Sequence, residues 1–441
     1  MSQLITNLKY KKAEIAPSGG GQSIDISNSI TMFDYYEDIL SPCVMGKMYI
    51  AASGSIYNTL PIRGGERVDI EIETEGGTIQ FTGDTALYVY KVSDLLQEEG
   101  REFFTINLCS REALTNETSR VMSKYDKAPI NEHVEKILKD VLKTKKYKSE
   151  NIERTANSYS FIGTIKKPFH IITWLCPKGI PSTGGVTGGS TGGGGGDSGG
   201  KGIIDKKSRG TAGYLFYENQ DGFNFRSIDT LVNKTKSQVS STSLEDITTY
   251  TYSQVIQAGT ANSDTMIINY FLEKNIDLMR ALRTGMYSNE TYFYDLFSDT
   301  VTRLSYSIGG EVKNKLGKKF PVPKDFATRP SRLLFRQSDR GITDDKPTES
   351  NGREDGDMAK SFARYNLLFT QSLNISVPCN INLKVGNIIR IEFPRSDPSQ
   401  TSYAEVDEEM SGLYIIREVC HHFELGQNVS SLRLIRDSYG F

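Results

Sequence analysis

Three adjacent residues, Cys420, His421 and His422, are of the types that bind metal ions or act as nucleophile and base. Their segment has a strand pattern, in which neighbouring side chains point to opposite faces, so the two imidazoles cannot easily hold one ion. The other two histidines, His133 and His170, lie in segments with helical patterns. We interpret the histidines as hydrogen-bonded structural residues and predict no metal site.

A Gly-rich tract contains a second chemical motif. Gly195 to Lys201 fits the G-x-x-x-x-G-K pattern of a phosphate-binding loop. That loop requires Ser or Thr after the lysine, but Gly202 stands there. No strand pattern precedes the motif, and no helical pattern follows it. A tract this rich in Gly matches by chance, so we predict no nucleotide or other cofactor.

Paired carboxylates, the groups that general acid–base chemistry uses, occur at Asp344–Asp345 and Glu408–Glu409. Both pairs lie in polar runs typical of solvated loops. No G-x-S-x-G or H-E-x-x-H motif occurs in the sequence. We therefore predict a protein without catalytic activity.

Composition narrows the function classes further. The 441 residues include 52 Lys and Arg against 54 Asp and Glu, and the formal net charge is −2. This balance argues against charge-driven binding of nucleic acid or anionic membranes. No apolar run reaches the length of a membrane span, and no secretory signal is expected. The five scattered cysteines are interpreted as free thiols in a reducing compartment.

An internal repeat predicts the fold. The stretch LYIIREVCHHFELGQNVSSLRLIR, which begins at Leu413, matches LYVYKVSDLLQEEGREFFTINLCSR, which begins at Leu87. Upstream, LPIRGGERVDIEIE (Leu60–Glu73) pairs with INLKVGNIIRIEFP (Ile381–Pro394). Each copy predicts strands joined by turns at matched glycines. These structural turn glycines are Gly65, Gly100, Gly386 and Gly426.

One strand of the first copy has a purely acidic face. Asp69, Glu71 and Glu73 alternate with Val68, Ile70 and Ile72, a period of two that separates a wet face from a buried one. A solvent-facing strand is the simpler interpretation. The alternative is a channel-facing strand whose negative wall keeps DNA from adhering. The residues alone do not separate the two.

These patterns predict an α+β, mainly β protein with two similar small antiparallel β-barrels and helix-containing inserted regions. The first barrel spans 1–118, and a helix–hairpin domain with a flexible Gly-rich loop at 182–202 spans 119–235. The second barrel is discontinuous, from 236–260 and 361–441, with 261–360 inserted. We expect Thr248–Gln257 to supply its missing strand, a helix over Pro129–Lys146 and another from Pro168.

Four segments in this order resemble a known family. They are PFHIITWLCP with GYLFYENQDGFNFRSIDTL, the run from Asn366 to Ile391, the segment Gly412–Gly440, and GMYSNETYFYDLF (Gly285–Phe297). Together they resemble the baseplate hub protein of contractile-tailed, T-even-like bacteriophages, which is related to the hub half of VgrG-type spike proteins. The likeness covers Ile24 to Tyr439. Cys379 stands where the family often has Gly, and the Gly-rich loop looks like an insertion.

The resemblance implies a homotrimer whose six similar tail-tube-like barrels form a ring. Such a ring would adapt a hexameric tail tube to a trimeric spike and let DNA pass without specific nucleic-acid binding. The implied partners are the tail tube protein, the spike and other baseplate (wedge) proteins, with a tape measure protein as a further candidate, and no stable membrane association. The implied location is the virion tail baseplate, assembled in the host bacterial cytoplasm. The alternatives are a tail-associated cell-envelope hydrolase and a glycan-binding adhesin.

Overall fold

The computed structural model describes residues 8–53, 62–98, 100–181, 212–233, 247–252, 263–274, 276–308, 315–318, 322, 324–339, 341, 355–395 and 406–440. The Gly-rich loop predicted at 182–202 lies outside the described residues.

The N-terminal region is built almost entirely of strands, because β-branched and aromatic residues alternate with polar ones along it. It ends in one short helix. Its elements are β1 (Lys9–Ala16), β2 (Ile24–Asp25), β3 (Ile30–Asp38), β4 (Met45–Ser53), β5 (Arg67–Thr74), β6 (Gly77–Phe81), β7 (Leu87–Glu98), β8 (Arg101–Ser110) and α1 (Arg111–Thr118).

The next region mixes short helices with short strands. Its elements are β9 (Lys124–Pro129), α2 (Ile130–Lys136), β10 (Tyr147–Ile152), β11 (Ser158–Ile162), α3 (Pro168–Leu175), β12 (Tyr214–Asn219), β13 (Gly222–Ser227) and α4 (Ile228–Val232). The predicted hairpin and the predicted helix from Pro168 are confirmed. The side chain of Ser227 caps α4 by accepting a hydrogen bond from the backbone N–H of Thr230.

The helix expected over Pro129–Lys146 is shorter than predicted. After α2 the chain makes one wide π-type turn over Ile137–Val141, and Lys143 adopts a positive φ of 52° that ends the helix. The lysines that follow therefore lie beyond the end of the helix. Lys146 instead turns into the interior and is buried.

The remaining chain returns to strands around an inserted region. Its elements are β14 (Thr249–Thr251), β15 (Asn269–Lys274), α5 (Leu278–Thr284), β16 (Ser288–Asp295), β17 (Thr300–Ser307), α6 (Lys324–Thr328), β18 (Arg332–Gln337), α7 (Asp355–Leu368), β19 (Gln371–Pro378), β20 (Ile388–Glu392), β21 (Gly412–Glu424) and β22 (Gln427–Arg436).

Fourteen of the described strands form one large sheet. Its main path runs β15-β19-β22-β21-β3-β4-β8-β7-β5-β1-β2, with β20 on β21, β14 on β20 and β6 on β5. The order β15-β19-β22-β21 matches the order β3-β4-β8-β7, so the sheet contains the same four-strand arrangement twice. We call the set β1–β8 the first module and the set β14, β15 and β19–β22 the second module.

Each module buries its own apolar face. In the first module the core includes Val68, Ile70 and Ile72, which are 0% exposed. In the second module Ile389 and Ile391 of β20 pack into a separate core with Leu432 and Leu434 of β22. The fold is therefore α+β and mainly β, as predicted. The pairings between described strands do not close either module, so the barrels stay a prediction.

The strand pairing disagrees with the predicted start of the inserted region at residue 261. β15 lies within 261–360, yet it pairs antiparallel with β19 and belongs to the second module. Its partner is about a hundred residues away, and local pattern does not show such pairing. From the strand expected over Thr248–Gln257, β14 pairs in parallel with β20, while residues 253–257 lie outside the described residues.

Candidate functional site at the joint between the modules

The turn glycines have matching backbone conformations in the two modules. The backbone N–H of Gly65 donates to the carbonyl of Val89 at 2.7 Å, and that of Gly386 donates to Ile416 at 2.9 Å. All four glycines have positive φ: 88° at Gly65, 79° at Gly100, 86° at Gly386 and 93° at Gly426. L-residues with a side chain rarely adopt this conformation, which explains why glycine occupies each turn.

The modules meet where β21 pairs antiparallel with β3. Glu418 lies opposite Asp38, His422 opposite Asp34, and Phe423 opposite Phe33. This pairing makes one continuous eight-strand sheet, β15 to β7, which we call the joined sheet. Because neighbouring side chains alternate, one face supplies both cores, and the other carries mostly polar side chains together with a few exposed apolar ones such as Phe271.

The polar side of the joined sheet, which we call its wet face, contains a groove of about 840 Å³ across the joint. The groove is lined by residues from both modules, including Tyr36, Met45, Phe271, Asn374, Glu418 and Arg433. Arg433 makes a close ion pair with Glu418 at 2.8 Å. On the same face Nδ1 of His422 lies 2.6 Å from Asp34, which links the two modules directly.

The adjacent histidines point to opposite faces, as predicted. His421 is fully buried between Ser430, whose hydroxyl lies 2.9 Å from Nδ1, and the carbonyl of Leu383, 3.1 Å from Nε2. Burial lowers the pKa of His421 to about 4, so the ring is neutral near pH 7. Within the part of the chain that the structure describes, no group of three or more His, Cys, Asp or Glu residues is placed to hold a metal ion.

A buried carboxylate, Glu37, joins three parts of the molecule. It accepts hydrogen bonds from the hydroxyl of Tyr35 in its own strand (3.0 Å), the backbone N–H of Gln220 in the β12–β13 turn (2.7 Å) and the backbone N–H of Val385 in the second module (3.0 Å). Full burial raises the pKa of Glu37 to about 7, although these donors and Lys384 act in the opposite direction.

A second buried cluster ties the helix–hairpin region to the first module. Nζ of Lys146 lies 3.0 Å from Glu112 of α1, the helix that directly follows the first module, and 3.1 Å from Glu218 of β12. Glu218 also accepts a hydrogen bond from the backbone N–H of Val44 at 3.1 Å. Burial opposes the charge of Lys146, but Glu218 and Glu112 raise its pKa above the ordinary value.

The hairpin β12–β13 therefore braces the joint from the core side. Asp221 in its turn pairs with Lys384 of the second module at 2.8 Å, and Tyr217 packs against Gly386. Sequence reasoning missed Glu37, Glu112, Lys146 and Glu218. A signal existed for Glu37, because the alternation in β3 puts it on the same face as Phe33 and Tyr35.

The acidic strand is β5, which pairs with β1, with β6 and with the first residues of β7. Its carboxylates have cationic neighbours: Asp69 lies 2.8 Å from Arg67, and Glu73 lies 2.9 Å from Lys11 of β1. Glu71 lies opposite Lys12 of β1. That this face lines a channel stays a prediction.

Gly386 offers a direct test of the turn geometry. We expect Gly386→Ala to reduce the free energy of unfolding more than Gly426→Ala. A left-handed alanine costs about 1–2 kcal/mol at either position. At Gly386, however, the new methyl would also overlap the buried hydroxyl of Tyr217, whereas at Gly426 no atom lies within 4 Å. Urea denaturation of both variants measures the difference. Equal losses would show that Tyr217 does not restrict this turn.

No helix among the described residues is both long and apolar enough to cross a membrane. The chain matches no protein-family model and no curated protein.

Several solved structures are similar to this one at low sequence identity. A tail protein of Neisseria meningitidis has a TM-score of 0.49 and 10% identity, over 97% of each chain. The 43 kDa tail protein of prophage MuSo2 from Shewanella oneidensis has a TM-score of 0.49 and 8% identity, over 97% of this chain and 98% of its own. An E. coli component of the type VI secretion system, itself similar to bacteriophage T4 tail proteins, has a TM-score of 0.42 and 10% identity, over 99% of this chain and 78% of its own.

The similar solved structures include tail, baseplate and VgrG-complex proteins. These are classes of protein that the expected resemblance to baseplate hub proteins names, and the similarity is moderate, with a TM-score of 0.49 for the two tail proteins.

Proposed function

We propose that this chain is a structural hub subunit of a contractile phage tail baseplate, without catalytic activity. Three copies form a ring with pseudo-sixfold symmetry. One side of the ring binds the hexameric tail tube. The parts of the ring that are not duplicated have threefold symmetry and bind a trimeric spike. The observation that carries this proposal is the repeated strand order in one continuous sheet, which places two equivalent modules side by side in a single chain.

The physical reason is symmetry. A ring built from one chain needs a head-to-tail contact whose rotation closes. Three chains with two equivalent modules each offer six similar units to a sixfold tube, while everything that is not duplicated keeps threefold symmetry. The helix–hairpin region is such an unduplicated part, and in each chain its β12–β13 turn packs against the joint between β21 and β3.

The proposed channel wall is the wet face of the joined sheet, since that face continues across both modules. Most of its side chains are polar, and Arg433 and Glu418 form an ion pair on it. Such a wall presents little net charge to DNA in passage. The acidic face of Asp69, Glu71 and Glu73 is the other candidate wall, and it belongs to β5, which is not one of the eight strands of the joined sheet.

The remaining partners and the location belong to the same proposal. The ring would contact the tail tube protein, the spike and wedge proteins of the baseplate, with a tape measure protein as a candidate occupant of the channel. The protein would function in the virion tail after assembly in the host bacterial cytoplasm.

The test is the mass and shape of the purified protein, alone and with its spike. We expect a species of three times the 49.2 kDa chain mass, and six lobes around a central hole in electron-microscopy class averages. A monomer at every concentration, with or without the spike, would contradict the proposed ring.

A further inference from the structure

Among the described residues, the outer edge of strand β7 is paired with another strand only at its beginning. Its first residues, Leu87 and Tyr88, pair with β5, and its other edge pairs with β8 along its length. Beyond Tyr88 the outer edge meets no strand among the described residues. Its counterpart β21 is built in the same way, with Gly412–Ile415 on β20, but there the outer edge of Glu418–Glu424 pairs with β3.

Strand β15 shows the complementary situation. Its counterpart in the first module is β3, which uses both edges, one for β4 and one for β21. β15 pairs with β19 through one edge, and it ends the path of described strands in the large sheet. Each chain thus has one joint of the type β21–β3 and the two separated halves of a second joint, β7 and β15.

Both separated edges carry exposed apolar side chains. On β7, Leu95 is 47% and Leu96 is 54% exposed, and on β15, Tyr270 is 41% and Phe271 is 65% exposed. Exposed apolar edge strands are normally covered, because they invite pairing with another chain. The two patches on complementary edges indicate a partner that covers both.

The internal joint also predicts the register of the second one. Leu96 and His422 each lie four residues before the turn glycines Gly100 and Gly426. On the other strand, Phe271 pairs with Asn374, and Asp34 pairs with Lys47. Asn374 pairs with Arg433, which lies seven residues after Gly426. Lys47 pairs with Asn107, which lies seven residues after Gly100, so Asn374 and Lys47 are equivalent positions. Phe271 therefore corresponds to Asp34, and Leu96 to His422.

We infer that β7 of one copy pairs antiparallel with β15 of the next copy, with Leu96 opposite Phe271 and Gln97 opposite Tyr270. The inference rests on the proposed ring and specifies how its chains are joined. Within a chain the equivalent position is the hydrogen-bonded contact between Nδ1 of His422 and Asp34, 2.6 Å long. Between chains it becomes an apolar contact, whose removal from water drives the association. Three such contacts close the joined sheets into one continuous wall.

Cross-linking of cysteines placed at the predicted pair tests the register. In the full-length protein, Leu96→Cys with Phe271→Cys should yield covalent dimers and trimers when treated with a short bis-maleimide, because directly opposite residues lie about 4.5–5.5 Å apart. Either single variant should not, which also controls for the native cysteines. The mismatched pair Ser93→Cys with Asn269→Cys should not either, since those positions would be more than about 10 Å apart along the strands.

A charge exchange supplies a second readout. Leu96→Lys alone and Phe271→Asp alone should each weaken trimer formation about tenfold or more, because each would bury an unpaired charge. The double variant should recover the trimer through a new ion pair, with unchanged circular dichroism throughout.

The outcomes separate this inference from the proposed function. A trimer by mass that gives no cross-link at Leu96–Phe271, or that both single variants leave intact, would overturn the edge pairing and leave the hub proposal standing. A protein that is a monomer under all conditions would overturn both. Cross-linking from the mismatched pair in place of the predicted one would show that the register is wrong.

Discussion

Replacing Lys146 with Met should reduce the free energy of unfolding by about 3–5 kcal/mol, because it leaves two carboxylates buried without their cation. The side chains of Lys146, Glu112 and Glu218 are 4%, 6% and 2% exposed. Met matches the length of the lysine stem, so little packing is lost. The loss therefore measures the uncompensated charge of Glu112 and Glu218. Urea or thermal denaturation of the purified variant gives the value.

The neighbouring lysine provides a matched control. Lys145 is 80% exposed and lies 4.0 Å from Asp84, an exposed pair. Such pairs contribute about 0–1 kcal/mol, so Lys145→Met should be close to wild type. If both variants lost the same stability, the buried cluster would not hold the helix–hairpin region to the first module. Recovery by Lys146→Met with Glu218→Gln would support the charge as the cause.

The second large effect is a pH dependence centred on Glu37. Its pKa is about 7 in the folded protein against an ordinary value of 4.5, and burial is the main cause. As the pH rises between these values, the unfolded chain loses this proton while the folded chain keeps it. Folding stability must therefore fall over this window, by up to about 3 kcal/mol from this residue, and change no further above it.

Comparison with Glu37→Gln isolates that contribution. The amide cannot ionise, but its NH₂ group would face a backbone N–H, so the variant should be less stable than wild type in acid. The difference in unfolding free energy between the two proteins should shrink as pH rises from 4.5 to 8. The exposed Glu75→Gln variant is the matched control for loss of one surface carboxylate. A constant difference for Glu37→Gln would mean that the carboxyl titrates in its ordinary range.

The duplication is visible in sequence because it depends on backbone conformation. Turns with positive φ favour glycine strongly, so Gly65, Gly100, Gly386 and Gly426 are evident as matched pairs without a structure. The alignment of the strands between them is less reliable. The sequence match that aligns Leu87 with Leu413 also aligns Val89 with Ile415. In the structure, however, the hydrogen bond that Val89 accepts from Gly65 corresponds to the one that Ile416 accepts from Gly386, so the alignment is wrong by one residue.

The cause of that difference is a β-bulge. Between Ser93 and Leu96 the pairing of β7 with β8 shifts, and Asp94 has a positive φ of 58°. β21 pairs with β22 without a shift at the corresponding place, next to His421. A bulge adds one residue to one strand and leaves the turn unchanged. Sequence comparison therefore aligned the turns correctly and the first strand residues incorrectly.

Sequence alone determined the fold class, the repeat, the hairpin and the opposite orientation of His421 and His422. Each of these depends on neighbours within a few residues, or on alternation along one strand. Only the tertiary structure decided that β15 joins the second module, that Lys146 is buried and that β21 pairs with β3. Those outcomes depend on partners far away along the chain, such as Glu218, which lies 72 residues from Lys146. Local sequence periodicity does not depend on such distant partners and so cannot predict them.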